Sequence, residues 1–400
     1  MAVYKPLGPV AIGFIGCKMN KAAPILAHFR QILPGFIHFS LRQTQWLQAL
    51  FFIVALFYWP LLWANPIQRL NYDIPFAHGQ IHVEEKKLAQ THPQEVIILL
   101  APLSIPSLLA FDVERYSLMD VLANAGFDVW AIDFSGEGHS SYPEVMQISP
   151  APKGIFPLRA TEAAQQLDVI IQFIRKNTGI HSVSLLGWSW GSVVAALYSS
   201  QHPQTIHTLI LYGSMYSASL PGPIQNMMLA PFQTSPGTFN NQLPAYQNIP
   251  WQEIRKHWVS MMQDHTDIAS PDAIRAVEQA YLQSDPHPFI PGTLRRPMGP
   301  MQDLFSIWHQ RPIYPIASIQ TPTLVIYGDL DLFADHHLYD QLSGVLIKKK
   351  IVIPQATHWL IYEKNRAIFY TDVISFLKEN DTTHAGNYSP LPLPKGRGGH

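Results

Sequence analysis

Cysteine is nearly absent from this chain, and charge is scarce. Cys17 is the single cysteine in 400 residues, which excludes an intrachain disulfide and any cysteine-based zinc site. Asp, Glu, Lys and Arg together make up 14%, against about 25% in an ordinary soluble chain. A deficit of that size points to a membrane segment, a large apolar site, or both. No excess of either sign exists: 27 Lys and Arg against 28 Asp and Glu leave a net charge of −1, so nothing electrostatic favours nucleic acid as a partner. No G-x-x-x-x-G-K-[ST] motif occurs, and Gly136-Glu137-Gly138 lacks the third glycine of a dinucleotide fingerprint. Asp335-His336-His337 is too short a cluster to argue a metal site. Neither a cofactor nor a metal is expected. Apolar material is plentiful: 47% hydrophobic and 12% aromatic is enough for a large core and rules out wholesale disorder.

Acidic residues are missing from the amino end. Residues 1–72 carry Lys5, Lys18, Lys21, Arg30, Arg42 and Arg69, and the first acid is Asp73. Between Arg42 and Arg69 there is no formal charge, and residues 46–64 (WLQALFFIVALFYWPLLWA) are almost wholly apolar. Nineteen residues at helical rise span about 28 Å, close to the thickness of bilayer hydrocarbon. Basic residues before such a segment predict a cytoplasmic amino end and an external remainder. Residues 1–72 therefore read as a targeting segment, either a retained anchor or a long signal peptide cut near Leu62-Trp63-Ala64. Phe14-Ile15-Gly16-Cys17 departs from a lipoprotein box at the position of Leu, so Cys17 reads as a small hydrophobe. Residues 381–400, rich in Pro and Gly without periodicity, read as a disordered tail.

Between those ends, short β-branched runs alternate with helical patterns, the mark of βαβ units and a parallel sheet. Strands are expected over 96–100, 129–133, 182–186, 208–212, 323–327 and 349–353. Helices are expected over 118–125, 160–176 and 192–200. The interval 218–318 breaks the rhythm. It is rich in Pro, Gln and Met, with helical pieces over 251–263 and 272–283, and is too long for a structureless loop. It reads as an inserted, mainly helical cap between core segments 80–217 and 319–378.

Gly187-Trp188-Ser189-Trp190-Gly191 follows one expected strand directly and precedes a helix. A serine at a sharp strand-to-helix turn needs glycines on either side, where backbone passes too close for a Cβ. Asp133-Phe134-Ser135-Gly136-Glu137-Gly138-His139-Ser140 follows the strand before it, Gly328-Asp329-Leu330-Asp331 ends the strand TLVIY, and Thr357-His358-Trp359 lies just past KIVI. With these motifs the chain resembles the α/β-hydrolase superfamily from about residue 80 to 378. The order Ser, Asp, His is the one that fold requires. The resemblance implies Ser189 as nucleophile, His358 as base and Asp331 as its partner, with Asp329 the competing acid two residues earlier. It also implies an oxyanion hole from the backbone N–H of Trp190 and one from the loop after the first parallel strand. Where that family usually shows His-Gly, this chain has Ala101-Pro102. Proline has no N–H, so Leu103 is the expected second donor.

These assignments imply an esterase- or lipase-like hydrolase acting through an acyl-enzyme on a small-molecule ester or lipid. The Met- and Trp-rich cap suggests an apolar acyl group, with Trp188, Trp251 and Trp258 contacting substrate. Two alternatives stay open. The run Ser189-Trp190-Gly191-Ser192, with His202-Pro203 downstream, is similar to the nucleophile helix of proline iminopeptidases. A hydrolase fold serving only to bind is the other. The amino-terminal reading carries its own test: a periplasm-dependent reporter fused after residue 80 should be active, and deleting residues 1–64 should give soluble protein retained in the cytoplasm. Full-length chain found wholly in the soluble cytosolic fraction would refute membrane association through 46–64.

Overall fold

Short apolar runs that can be covered on both faces form the middle of a sheet. The computed structural model describes residues 66–77, 79–89, 95–103, 105–217 and 228–380. Within them the strands are β1 (Ile67–Phe76), β2 (Gly79–Leu88), β3 (Val96–Leu100), β4 (Asp128–Asp133), β5 (Val183–Trp188), β6 (Ile206–Tyr212), β7 (Gln233–Ser235), β8 (Thr238–Phe239), β9 (Tyr246–Pro250), β10 (Thr293–Pro297), β11 (Thr323–Gly328) and β12 (Lys348–Ile353). Eight of them make one sheet in the order β1-β2-β4-β3-β5-β6-β11-β12. From β4 to β12 all neighbours are parallel, and β1 and β2 add an antiparallel hairpin at the β4 edge. All six expected strands are present, 96–100 with the expected boundaries and the others with boundaries shifted by one or two residues. The chain is thus an α/β-hydrolase fold with a mostly parallel sheet.

The hairpin was not expected, and its first strand begins at Ile67, inside the 1–72 segment assigned to targeting. Its residues alternate rather than forming an apolar run: Leu70, Tyr72 and Ile74 turn inward while Arg69, Asn71 and Asp73 are exposed. An edge strand with one wet face obeys that period-two pattern. Residues 46–64, Cys17 and 381–400 lie outside the described residues. Among the described residues no helix is long and apolar enough to cross a membrane.

Helices α1 (Ser107–Phe111), α2 (Leu118–Asn124), α3 (Ala160–Thr178), α4 (Trp190–Gln201), α5 (Trp251–Met261), α6 (Pro271–Leu282), α7 (Gly299–Trp308), α8 (Leu338–Gln341) and α9 (Arg366–Glu379) cover the two faces. Pleating sorts the strands between two cores. Val183 and Leu185 join α3, α4 and α7 on one face, while Leu186 and Trp188 join α1, α2, α9 and the cap helices α5 and α6 on the other. Helix α4 is buried from Trp190 to Ser199, because sheet and helices enclose it all round. Helix α3 starts where Glu162 accepts the amides of Leu158 at 2.7 Å and Arg159 at 3.2 Å, and it ends at Gly179 in the left-handed region.

The region between β6 and β11 is less purely helical than expected, since it also carries the β7–β8 hairpin and the antiparallel β9–β10 ribbon that brackets α5 and α6. Its last helix, α7, docks on the core through one buried carboxylate. Asp303 accepts from Arg159 Nε at 2.5 Å, the Ala160 amide at 2.7 Å and Trp190 Nε1 at 3.1 Å. Burial raises its pKa above the usual aspartate value, and Arg159 opposes that rise.

A network of charge lies where β2 meets β4. Lys86 Nζ donates to Asp112 at 2.6 Å and Asp120 at 2.8 Å, and Tyr72 donates to Glu85 at 2.6 Å. Asp128, fully buried at the start of β4, is pushed up to about 8, first by desolvation and then by the neighbouring Glu85 carboxylate. A carboxyl raised in the folded state binds its proton there while the unfolded chain, near 3.8, does not. The stabilisation contributed by this carboxyl is therefore lost as pH rises from about 4 through 8. Asp128→Asn, which mimics the protonated form, should flatten that loss by at least about 1 kcal/mol between pH 5 and 8. Urea unfolding across that range is the measurement, and parallel curves for both proteins would disprove the assignment.

Candidate active site

The chain turns from β5 into α4 at a single residue, and the turn is strained. Ser189 has φ 57° and ψ −122°, a conformation that costs a non-glycine residue about 1–3 kcal/mol. Surrounding contacts hold it there. Its amide donates to the Tyr212 carbonyl at 2.9 Å, and its carbonyl accepts from the Ser192 amide at 3.0 Å and the Ser192 hydroxyl at 2.5 Å. Only glycine fits the flanks: a Cβ at Gly191 would lie 2.2 Å from the Leu100 carbonyl, and one at Gly187 2.4 Å from Ser192 Cα.

Asp331 follows β11 in a tight turn. One oxygen accepts the amides of Phe333 at 2.9 Å and Ala334 at 3.2 Å, while the other accepts from His358 Nδ1 at 2.8 Å. Both side chains are buried. Asp329 instead accepts the Ala356 amide at 3.2 Å and props up the histidine loop. Asp331 is thus the acid that meets His358. His336 stacks on Tyr327 at 4.9 Å.

Three further residues set this pair and were not anticipated. Glu363, buried behind the loop, accepts the Thr357 amide at 2.8 Å, the Thr357 hydroxyl, and Trp258 Nε1 at 2.9 Å. Desolvation raises its pKa, while those hydrogen bonds pull it down. Phe333 meets the imidazole edge-on at 5.2 Å between ring centres. Gly213, at φ 52°, passes so close that an added Cβ would lie 2.9 Å from Asp331 Oδ2 and from His358 Nδ1 and Cε1. No local pattern marks these positions in the sequence; each acquires its role from a neighbour distant along the chain.

Ser189 and His358 both line a cavity of about 1100 Å³. Core residues and α7 contribute an apolar part that includes Trp188, Met215, Met301, Leu304 and Phe333. The cap contributes a polar part: Gln247 and Asn248 of β9, Glu253, Lys256 and His257 of α5, and Arg296 of β10. Burial and then the Arg296 charge push the His257 pKa down. Leu103 also lines the cavity. The nearby Ala101 amide is occupied by Ser107 Oγ at 2.9 Å, and Pro102 has no N–H. Trp190 turns its indole to Asp303 at 3.1 Å, and its backbone N–H lies in the unpaired first turn of α4.

Trp251 and Trp258, expected to contact substrate, do not line the cavity. Both are buried. Trp251 packs on Tyr281, with ring centres 5.6 Å apart, and Trp258 stacks on Trp359 at 5.4 Å. Their indoles are used up in packing against Tyr281 and Trp359, while Glu253, Ile254, Lys256, His257 and Ser260 are the α5 residues before Met261 that reach the cavity. Among the described residues no group of three or more His, Cys, Asp or Glu side chains is arranged to hold a metal ion.

A sheet with a strained serine after its fifth strand and an Asp–His pair after its last two strands defines a hydrolase, and residues 107–365 match the family model described as alpha/beta hydrolase fold. The chain belongs to that family. It is similar to a proline iminopeptidase of Lactiplantibacillus plantarum (strain ATCC BAA-793 / NCIMB 8826 / WCFS1), 25% identical over 260 residues that make up 63% of this chain and 80% of the relative. Among solved structures it shares its fold with the 2-hydroxy-6-oxo-6-phenylhexa-2,4-dienoate hydrolase of Rhodococcus sp. strain RHA1, at TM-score 0.52, 15% identity, and coverage of 78% of this chain and 100% of that one. The same holds for a thioesterase domain from the curacin biosynthetic pathway, at TM-score 0.50, 20% identity, and coverage of 77% and 99%.

Gly213→Ala tests how tightly the Asp–His pair is set. The new Cβ must displace one partner, and a misplacement near 1 Å costs about a hundredfold in rate. Any hydrolytic kcat is expected to fall by at least about tenfold, with the melting temperature lowered by only a few degrees. Unchanged kcat would show that the pair tolerates displacement.

Proposed function

We propose that the protein is a serine hydrolase that cleaves carboxylic esters with apolar acyl groups through an acyl-enzyme. One observation carries this reading: the strained Ser189 opens onto the same cavity as His358, whose Nδ1 is held by Asp331 at 2.8 Å. A serine hydroxyl is a weak nucleophile until a base takes its proton. With Nδ1 engaged by Asp331, Nε2 of His358 is left to act as that base and then to protonate the leaving group, while the carboxylate stabilises the imidazolium. The oxyanion would be held by the backbone N–H of Trp190, where the α4 dipole adds to the hydrogen bond, and by that of Leu103. The apolar walls from Met215, Met301, Leu304 and Phe333 support an apolar acyl chain. Membrane attachment or export through residues 46–64 belongs to the same proposal and rests on the sequence alone.

A second reading, a proline-iminopeptidase-like aminopeptidase, is favoured by the similarity to the iminopeptidase. Lys256 and Arg296 outnumber Glu253 on the cavity wall, and that net positive charge opposes the free ammonium such a substrate carries.

Ser189→Ala should lower turnover at least about a thousandfold without unfolding the protein, and His358→Ala should fall to a similar residue of activity. Fluorophosphonate should label the parent and not Ser189→Ala. In a panel of p-nitrophenyl esters from acetate to decanoate beside aminoacyl-arylamides, kcat/KM should favour the esters. It should rise with acyl length by up to about fourfold per buried methylene. Faster cleavage of the arylamides would establish the second reading, and a flat ester profile would remove the apolar-acyl assignment.

A further inference from the structure

Arg295 and Arg296 are neighbours on β10, so pleating sends their side chains to opposite faces of the β9–β10 ribbon. Arg295 is fully engaged. Its Nε and Nη2 grip the two oxygens of Asp285 at 2.6 and 2.8 Å, Nη1 donates to the Met146 carbonyl at 3.1 Å, and the guanidinium lies 4.0 Å from the Tyr142 ring centre. That arginine ties the cap residue Asp285 to Tyr142 and Met146 of the core segment. Arg296 lies instead on the cavity wall, half-buried. Its hydrogen bond to protein is from Nη2 to Gln247 Oε1 at 2.6 Å. Among the ion pairs of the described residues, none closer than 4.0 Å includes it.

A guanidinium has five N–H donors in a planar fork that matches a carboxylate or phosphate. Taking one out of water without a counter-anion is unfavourable, and burial accordingly holds Arg296 below the ordinary arginine pKa. Glu253, the one acid among the described residues lining the cavity, acts in the opposite sense without reaching ion-pair distance. Against it stand Arg296 and Lys256, with His257 beside them. The wall formed by β9, α5 and β10 therefore carries a net positive charge beside Ile249, Ile254 and Met261, while the wall next to Ser189, from Trp188, Met215 and α7, is apolar.

We propose that Arg296, with Gln247 beside it, receives an anionic group of the substrate, a carboxylate or a phosphate. The ester cleaved at Ser189 would then carry an acyl chain that is apolar near the carbonyl and negatively charged further along. This rests on the ester-hydrolase reading above and narrows it from apolar esters to amphiphilic acidic ones. A chain running from Ser189 to Arg296 would pass through the apolar part first, so the distance between the two ends selects its length.

The test uses p-nitrophenyl half-esters of dicarboxylic acids from succinate to sebacate, each beside the ester of the matched monocarboxylic acid, with an ω-phosphono series as a third arm. At the best-fitting length, Arg296→Gln should lower the ratio of kcat/KM for anionic over neutral ester by at least about tenfold, the equivalent of one hydrogen bond to a charged group. The neutral ester should change by less than about twofold, and Arg296→Lys should keep part of the preference. Whichever anionic series shows the larger ratio identifies the group received. A ratio unmoved by either substitution overturns the proposal, as does an equal loss on both esters. If no ester is cleaved and fluorophosphonate leaves Ser189 unlabelled, the hydrolase reading fails, and the anion site is judged by itself through calorimetric titration with suberate. Binding that Arg296→Gln abolishes upholds the site. Absent binding, or binding unaffected by the substitution, disproves it.

Discussion

Everything at this site is arranged around the backbone of Ser189. A serine held at φ 57° and ψ −122° persists only because its surroundings leave no alternative. Tyr212 in β6 fixes its amide, and Ser192 in α4 fixes its carbonyl. The glycines two residues away allow strand β3 and helix α4 to close within contact distance. The same closeness brings β6 alongside, so that Gly213, one residue past Tyr212, becomes the floor under Asp331 and His358. Serine, acid and histidine are in this way referred to one frame, the carboxyl ends of β5, β6 and β11, where ligands of open α/β sheets bind.

Buried carboxylates extend that frame to the cap and to the histidine loop. Asp303 ties α7 to the start of α3 and to the indole of Trp190, so the residue after the serine is held from the side away from the cavity. Glu363 gathers Thr357 and Trp258, joining the loop that carries His358 to the cap helix α5. Each is desolvated and raised in pKa, and each is met by several donors. A buried acid surrounded in this way makes removal of any one partner costly, because the charge left behind is uncompensated. The region between β6 and β11 is therefore linked to the Asp331–His358 pair by directional bonds as well as by apolar contact. Its own chemistry differs between its faces: tryptophans pack toward the core, while basic and amide side chains face the cavity.

How much of this was legible in the sequence follows from which signals are local. The six core strands could be read because each is a short, β-branched or largely apolar run bounded by turn residues. The elbow could be read because glycines, serine and a following helix sit together in five residues. Asp331 and His358 were legible through the turns that carry them. The β1–β2 hairpin was missed because its alternating polar residues resemble a solvated segment until a partner strand is known. The assignment of Trp251 and Trp258 to the substrate failed because composition says that α5 is aromatic without saying which face looks into the cavity.

By itself, then, the sequence determined the fold class and the strand ends that carry Ser189, Asp331 and His358, since these reside in short-range patterns of turn and periodicity. Only the tertiary structure decided that Asp331 rather than Asp329 meets His358, that Gly213 cannot carry a side chain, and that Glu363 and Asp303 hold the site from behind. It also separated two adjacent arginines, giving Arg295 a buried partner and leaving Arg296 on the cavity wall. The physical reason is the same in each case: whether a side chain is paired, buried or free depends on residues dozens to hundreds of positions away, and no local pattern encodes which of them arrives.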